Sequence, residues 1–208
     1  MHPPDWKTGV VLLAAGWGKR FGGDKLAAEF RGRPLWELAA EIAESLAFSE
    51  RILVIGPNSP IIGRPGWTSI ENPVAVNGMG TSIAAGVRAL TDCDRVMILL
   101  ADMPLVTRAH LGRLVEAQGV AFTRYPDDTG GCPAIFPRSM FARLGSLAGD
   151  RGARALQVAD AELIAPAYER EIADVDTVRD LENLSSSIEL AFDRVELVKD
   201  GGLQDLSD

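Results

Sequence analysis

The stretch from Val10 to Lys25 constrains this chain more than any other. Val10-Val-Leu-Leu-Ala is a continuous apolar run with β-branched members, and Gly16 and Gly18 follow at once. Such a run reads as a buried strand of a parallel sheet that opens straight into a loop. The loop continues Lys19-Arg-Phe-Gly-Gly-Asp-Lys25. Its glycines let the backbone approach an anion and aim N–H groups at it, while Arg20 and Lys25 neutralise charge. A third glycine at position 22 comes one residue late for a dinucleotide fingerprint, and no Gly-x-x-x-x-Gly-Lys-Ser/Thr is present. Strand, glycines and cations together point to phosphate; as bare spacing the segment also fits a glycine-rich surface turn.

Strands and helices alternate along the rest of the chain. From Pro34 the residues Leu35, Leu38, Ala39, Ile42, Ala43 and Leu46 share one helical face. Arg51–Gly56 reads as a second strand, with a short one near Thr68–Ile70. Thr81 or Ser82 is a candidate cap for a helix carrying Ile83, Val87 and Leu90. Arg95–Leu100 is the most strand-like run, and Thr107 suits the cap of a helix with Leu111, Leu114 and Val115 inward. Val120–Thr123, Pro133–Phe136, Leu163–Ile164 and Arg170–Val175 are further candidate strands. Thr177-Val-Arg-Asp180 has the form of a capping box before a short helix through Leu181 and Leu184. This order predicts an α/β fold built on a doubly wound, mostly parallel sheet, with ligands outside the carboxyl ends of the strands.

At 208 residues the expectation is one domain over 1–184, followed by an appended helix and acidic tail over 185–208. The formal net charge of −8 argues against a nucleic-acid partner. Lys19, Arg20, Lys25, Arg31 and Arg33 nonetheless crowd between Gly16 and Arg33, as a local anionic ligand requires. The N-terminus lacks the layout of a secretion signal and no apolar run approaches bilayer length, so a cytoplasmic protein with no membrane contact is expected. Cys93 and Cys132 lack metal-ligand spacing. Of the two histidines, His2 falls at the N-terminus, so a nucleophile–base pair would have to rely on His110, and nothing places a plausible Ser or Cys near it.

Two acidic positions stand out. Asp102 follows Val96-Met-Ile-Leu-Leu-Ala directly, at a strand's carboxyl edge, where its oxygens suit Mg²⁺ or, alternatively, a turn. Asp174 and Asp176 alternate at the end of the last candidate strand and share a face; either suits a second metal ligand or a helix start.

Taken together these residues resemble the MobA-like nucleotidyltransferase family, and within it the molybdenum cofactor cytidylyltransferases. The resemblance runs through Leu13-Ala-Ala-Gly-x-Gly-x-Arg-Phe-Gly-Gly-Asp-Lys-Leu26, Gly32-Arg-Pro-Leu35, Gly78-Met-Gly-Thr-Ser82 and Leu100-Ala-Asp-Met-Pro104. It continues in Gly131-Cys-Pro-Ala-Ile-Phe136, Gly149-Asp-Arg-Gly-Ala-Arg154 and Asp174-Val-Asp-Thr177.

The resemblance implies a Rossmann-like, three-layer α/β/α fold of the nucleotide-diphospho-sugar transferase type. It implies transfer of CMP from CTP, or of a nucleotide from another NTP, to the terminal phosphate of a molybdopterin-type acceptor, with Mg²⁺ as cofactor. Ala14, Ala15, Gly16 and Gly18, with Arg20 and Lys25, would hold the triphosphate; Gly78 and Ser82 would border base and ribose. Asp102 and Asp176 would hold the metal, Asp176 being preferred because the family's ligand follows the Val. Arg154 would bind the acceptor's phosphate. Leu-Ala-Ala-Gly, where guanylyltransferases of the family have Leu-Ala-Gly-Gly, implies cytosine, since Ala15 narrows the space beside the base. A molybdenum hydroxylase or its chaperone is the implied protein partner. Departures are Val178 in place of Pro, Cys132 in place of His or Asn, and a segment after Leu184 with no family counterpart. Alternative readings are another base or acceptor, and a non-catalytic nucleotide-binding chaperone acting through the tail.

Overall fold

The computed structural model describes residues 5–186, apart from 17, 19, 20, 62, 151 and 157. Strand β1 (Thr8–Ala14) leads through the glycine loop and a 3₁₀ turn (Lys25–Ala27) to a small antiparallel hairpin, β2 (Glu29–Phe30) and β3 (Arg33–Pro34). Helix α1 (Leu35–Glu44), β4 (Glu50–Ile55), β5 (Thr68–Glu71), α2 (Met79–Arg88), β6 (Arg95–Leu100) and α3 (Arg108–Glu116) follow. Then come β7 (Ala121–Arg124), β8 (Gly130–Pro137), the short α4 (Phe141–Leu144) and β9 (Glu162–Ile164). A last helix is described over 178–186.

Seven strands form one sheet in the order β5-β4-β1-β6-β8-β7-β9. All neighbours pair in parallel except β8, which runs antiparallel to both β6 and β7. The three-layer architecture follows from strand alternation. Val10, Leu12 and Ala14 of β1, with Met97 and Leu99 of β6, pack on one face with Ala39 and Ala43 of α1 and Leu111 and Leu114 of α3. Val11 and Leu13, with Val96 and Ile98, pack on the other with Ile83 and Val87 of α2 and Leu144 of α4. A side-chain period of two, apolar at every position, demands helices on both sides. On the second face the packing is tight: a Cβ on Gly86 of α2 would lie 2.3 Å from Val11 Cγ1.

Two expectations need correction. Arg170–Val175 is not a strand: Glu169–Ile172 forms a 3₁₀ turn, because Glu171 turns inward and accepts from Thr107 Oγ1 at 3.0 Å. Neither Thr81 nor Ser82 caps α2; the helix starts at Met79 with Gly78 at the cap, and both hydroxyls lie in its first turn. Residues 185 and 186, the first of the expected appended segment, continue the last helix. Residues 187–208 lie outside the described residues.

Two capping expectations hold. Thr107 Oγ1 accepts from His110 N at 3.2 Å. Asp180 Oδ2 accepts from Thr177 N at 2.7 Å while Thr177 Oγ1 accepts from Asp180 N at 3.2 Å, a reciprocal capping box. Among the described residues no helix is long and apolar enough to cross a membrane.

Candidate active site

The site forms where β1 and β6, neighbours at the sheet's centre, end side by side. Beyond Ala14 the chain turns at Gly18, whose φ is +53°. A Cβ there would lie 2.6 Å from the Gly23 carbonyl oxygen, so the turn requires glycine. Phe21 N donates to Gly18 O at 2.8 Å, folding the loop back on itself. Asp24 then caps the 3₁₀ turn, accepting from Leu26 N at 3.2 Å, and this aims Lys25 under the loop.

Asp102 stands two residues beyond β6; the preceding Ala101 N bonds to Leu13 O at 3.1 Å and extends the β1–β6 ladder. The Asp102 carbonyl accepts from Val175 N at 2.9 Å. That single backbone bond brings the 174–176 segment to the sheet's edge, and buried Val175 anchors it. Lys25 Nζ donates to Asp102 Oδ2 at 2.6 Å and to Asp176 Oδ1 at 3.2 Å, with its side chain only 8% exposed. Burial opposes the ammonium charge, but the carboxylates of Asp102 and Asp176 outweigh it and raise the Lys25 pKa above its ordinary value. Asp174 lies in the same negative field: burial first, then Asp102 and Asp176, push its pKa up.

Asp102 Oδ1 is buried and has no hydrogen-bond partner. A carboxylate oxygen can only accept, so this atom suits a cation or a donor from a ligand. Among the described residues no three His, Cys, Asp or Glu side chains cluster as a closed metal cage. Two carboxylates with room for phosphate oxygens nevertheless match the way Mg²⁺ is held, since it keeps water and substrate ligands. Asp102 and Asp176 therefore fit a divalent ion shared with a phosphate.

A cavity of about 340 Å³ opens over this cluster. Ala15, Gly16, Gly18, Lys25, Gly78, Ser82, Asp102 and Asp176, all expected from sequence, line it together. Ala14 does not: it ends β1 and lines an adjoining hollow beside Gly56 and Asn58. Arg154 does not either, because it belongs to a neighbouring cavity of about 290 Å³ with Tyr125 and Cys132. Met79, Leu100 and Asp150 are common to that cavity and the first. There Arg154 donates to Thr129 Oγ1 at 3.3 Å, and Tyr125 donates its hydroxyl to the Cys132 carbonyl at 2.9 Å. Burial, then Asp102, push the Cys132 thiol up to about 12, which keeps it neutral. Arg20 lies outside the described residues.

Among the described residues of the basic cluster, Lys25 and Arg33 are both paired with carboxylates. Arg33 pairs with Glu37 and Glu41 of α1, and Lys25 is committed to two carboxylates. His110, set aside above as a base, is fully buried and bonds Thr123 Oγ1 at 2.8 Å.

Three residues escaped the sequence reading. Asp150 reaches the cavity because Gly78 and Gly149 pack together: Gly80 N donates to Gly149 O at 2.9 Å, and a Cβ on Gly78 would lie 2.3 Å from Gly149 C. Asn72 binds both Thr81 and Ser82; its only sequence signal is Asn-Pro ahead of a helix. Tyr125 precedes a Pro-Asp-Asp turn that carried no chemical pattern of its own.

A family model described as the MobA-like NTP transferase domain matches residues 10–163. The purine catabolism protein PucB of Bacillus subtilis is 30% identical over 186 residues, covering 80% of this chain and 90% of that protein. Nicotine blue oxidoreductase of Paenarthrobacter nicotinovorans is 34% identical over 110 residues, covering 50% of this chain and 54% of its own. The bifunctional protein GlmU of Cupriavidus pinatubonensis is 32% identical over 132 residues, 58% of this chain but 29% of that protein. Among solved structures, Rv0371c of Mycobacterium tuberculosis superposes with a TM-score of 0.76 at 23% identity, covering 87% of this chain and 98% of that one. Rv0371c in complex with manganese superposes with a TM-score of 0.70 at 24% identity, over 87% and 99% of the two chains. These likenesses between structures bear on the fold.

Proposed function

The chain belongs to the MobA-like NTP transferase family, a family of nucleotidyltransferases, and we propose that it transfers CMP from CTP to the terminal phosphate of molybdopterin with release of pyrophosphate. The observation that carries the transferase reading is Lys25 set between Asp102 and Asp176 beneath a glycine loop, at the floor of one cavity. Gly16 and Gly18 offer backbone N–H groups to a triphosphate, and Lys25 supplies a positive charge beside them. Asp102 and Asp176 would hold Mg²⁺, which when bound neutralises phosphate charge; the manganese complex of Rv0371c, which shares this fold, supports a divalent cofactor.

An acceptor phosphate held by Arg154 in the adjoining cavity approaches past Asp150 and Met79, which the two cavities share. Its oxygen forms the new bond to the α-phosphorus of CTP, and the bond to the β-phosphate oxygen breaks as pyrophosphate leaves. Phosphoryl-type transfer of this kind needs positioning and charge neutralisation rather than a protein nucleophile. The neutral Cys132 and the core-bound His110 are consistent with that. Cytosine is supported by Ala15, which lines the cavity beside Gly16.

A second reading keeps the chemistry and changes the acceptor or the base, and the similarity to GlmU favours it. One relative is named an oxidoreductase, but this sequence lacks a dinucleotide fingerprint after β1. Delivery of the product to a molybdenum hydroxylase or its chaperone belongs to the same proposal. The test is pyrophosphate release in Mg²⁺ with molybdopterin and each triphosphate in turn. Release with CTP supports the proposal; release with GTP alone overturns the cytidylyl assignment, and no release with any overturns the transferase reading.

A further inference from the structure

Asn72 directly follows β5 with 2% of its surface exposed, and its amide can face its neighbours in one way only. Oδ1 accepts from the Val74 backbone N–H at 3.2 Å; a backbone N–H only donates, so the oxygen must be the atom facing it. Nδ2 therefore faces α2, where it donates to Thr81 Oγ1 at 2.9 Å and to Ser82 Oγ at 3.0 Å. Both hydroxyls must receive, and each keeps its own proton to give. Thr81 gives its proton to the Gly78 carbonyl at 2.8 Å. Ser82, 4% exposed, has no acceptor for its proton among the described residues, and it lines the cavity.

We infer that Asn72 is a positioning residue that fixes Ser82 as a hydrogen-bond donor into the cavity, where it meets the 2-carbonyl oxygen of a pyrimidine base. The inference rests on the nucleotide site proposed above. Ser82 shares its stretch of the cavity wall with Ala75, Val76 and Met79. Val76 and Met79 are 62% and 41% exposed, an apolar surface suited to the faces of a flat ring. The phosphates belong instead with Lys25 and the two carboxylates. Ser82 donates to a ring carbonyl at C2, whereas an amine there, as on guanine, cannot accept that proton. The amide of Asn72 thereby adds a base-selecting element to the one Ala15 provides by size.

The experiment is calorimetric titration of the full chain in Mg²⁺ with CTP and with 2-thiocytidine 5′-triphosphate, whose sulfur is a poor acceptor. The wild-type chain should bind CTP about tenfold more tightly than the thio analogue, the worth of one such hydrogen bond. Ser82→Ala should bring that ratio to near one. Asn72→Asp should do the same, because its carboxylate still accepts from Val74 but now also takes the Ser82 proton and reverses the hydroxyl. The added charge weakens both ligands alike, so the change in ratio comes from the reversed hydroxyl alone. Asn72→Ser, which withdraws the amide donor without a charge, is the second variant should the first not fold. Weaker binding of both ligands with the ratio preserved in the Asn72 variants would mark a merely structural role and overturn the inference. A wild-type chain that binds both ligands equally overturns the base contact while leaving the nucleotide site standing. One that binds neither, nor any other triphosphate, overturns both.

Discussion

Lys25 and Asp102, 77 positions apart in the chain, meet at 2.6 Å where β1 and β6 end. The contact joins the loop that approaches phosphate to the strand end that suits a metal, and Asp176 completes the cluster at 3.2 Å from the same ammonium. Removing Asp102 should therefore do two things. Asp102→Ala should lower turnover by roughly three orders of magnitude, as loss of a metal-holding electrostatic group does. It should also cost about 1–3 kcal/mol of stability, because Lys25 stays buried with one carboxylate in place of two. Steady-state pyrophosphate release and thermal unfolding check both; near-normal rates would mean that Asp102 holds no metal.

Gly78→Ala should abolish triphosphate binding without unfolding the sheet. Its φ of +112° and the 2.3 Å approach to Gly149 leave no room for a methyl group. The Gly149–Asp150 segment must then move out of the cavity wall. Nucleotide titration with far-ultraviolet circular dichroism as the fold control measures this. Unchanged affinity would show that the Gly78–Gly149 contact does not shape the site.

Ala15→Gly should shift preference towards the larger base. If the methyl group of Ala15 limits the cavity, kcat/KM for GTP relative to CTP should rise by about tenfold, the usual worth of one methyl in a fitted pocket. A ratio that does not change removes Ala15 from base selection.

His110 makes stability depend on pH. Burial, with Arg113 adding, lowers its pKa to about 4 from an ordinary 6.5. The unfolded chain thus binds a proton that the folded one refuses, so His110 leaves stability intact above pH 6.5 and erodes it as pH falls towards 4. The loss reaches about 3 kcal/mol at most. Denaturant unfolding at pH 7 and pH 4.5 should show a smaller difference for His110→Gln than for the wild-type chain. Equal pH slopes in the two proteins would refute the assignment.

Much of this architecture is legible one residue at a time. The apolar runs of β1 and β6 dictate a strand covered on both faces, because every side chain along them must be buried. The glycines at 16 and 18, the caps at Thr107 and Thr177, and Asp102 at a strand end are local signals that the structure keeps. The family-level pattern adds Asp176, Gly78 and Ser82, and all of them line one cavity.

What local signals cannot carry is the meeting of segments. The 170–175 stretch reads as a strand, yet it turns inward because Glu171 finds Thr107, 64 positions away. Nothing in Asn72 announces that its amide sets the direction of the Ser82 hydroxyl, since that depends on Val74 taking its oxygen. Arg33 reads as part of a cationic patch until α1 brings Glu37 and Glu41 beside it. The amino-acid sequence by itself determined the strands, the turns and which groups can carry charge or approach phosphate, because those follow from periodicity and side-chain chemistry. Only the tertiary structure decided which donor faces which acceptor, because hydrogen bonds and ion pairs act over a few ångströms between residues far apart in the chain.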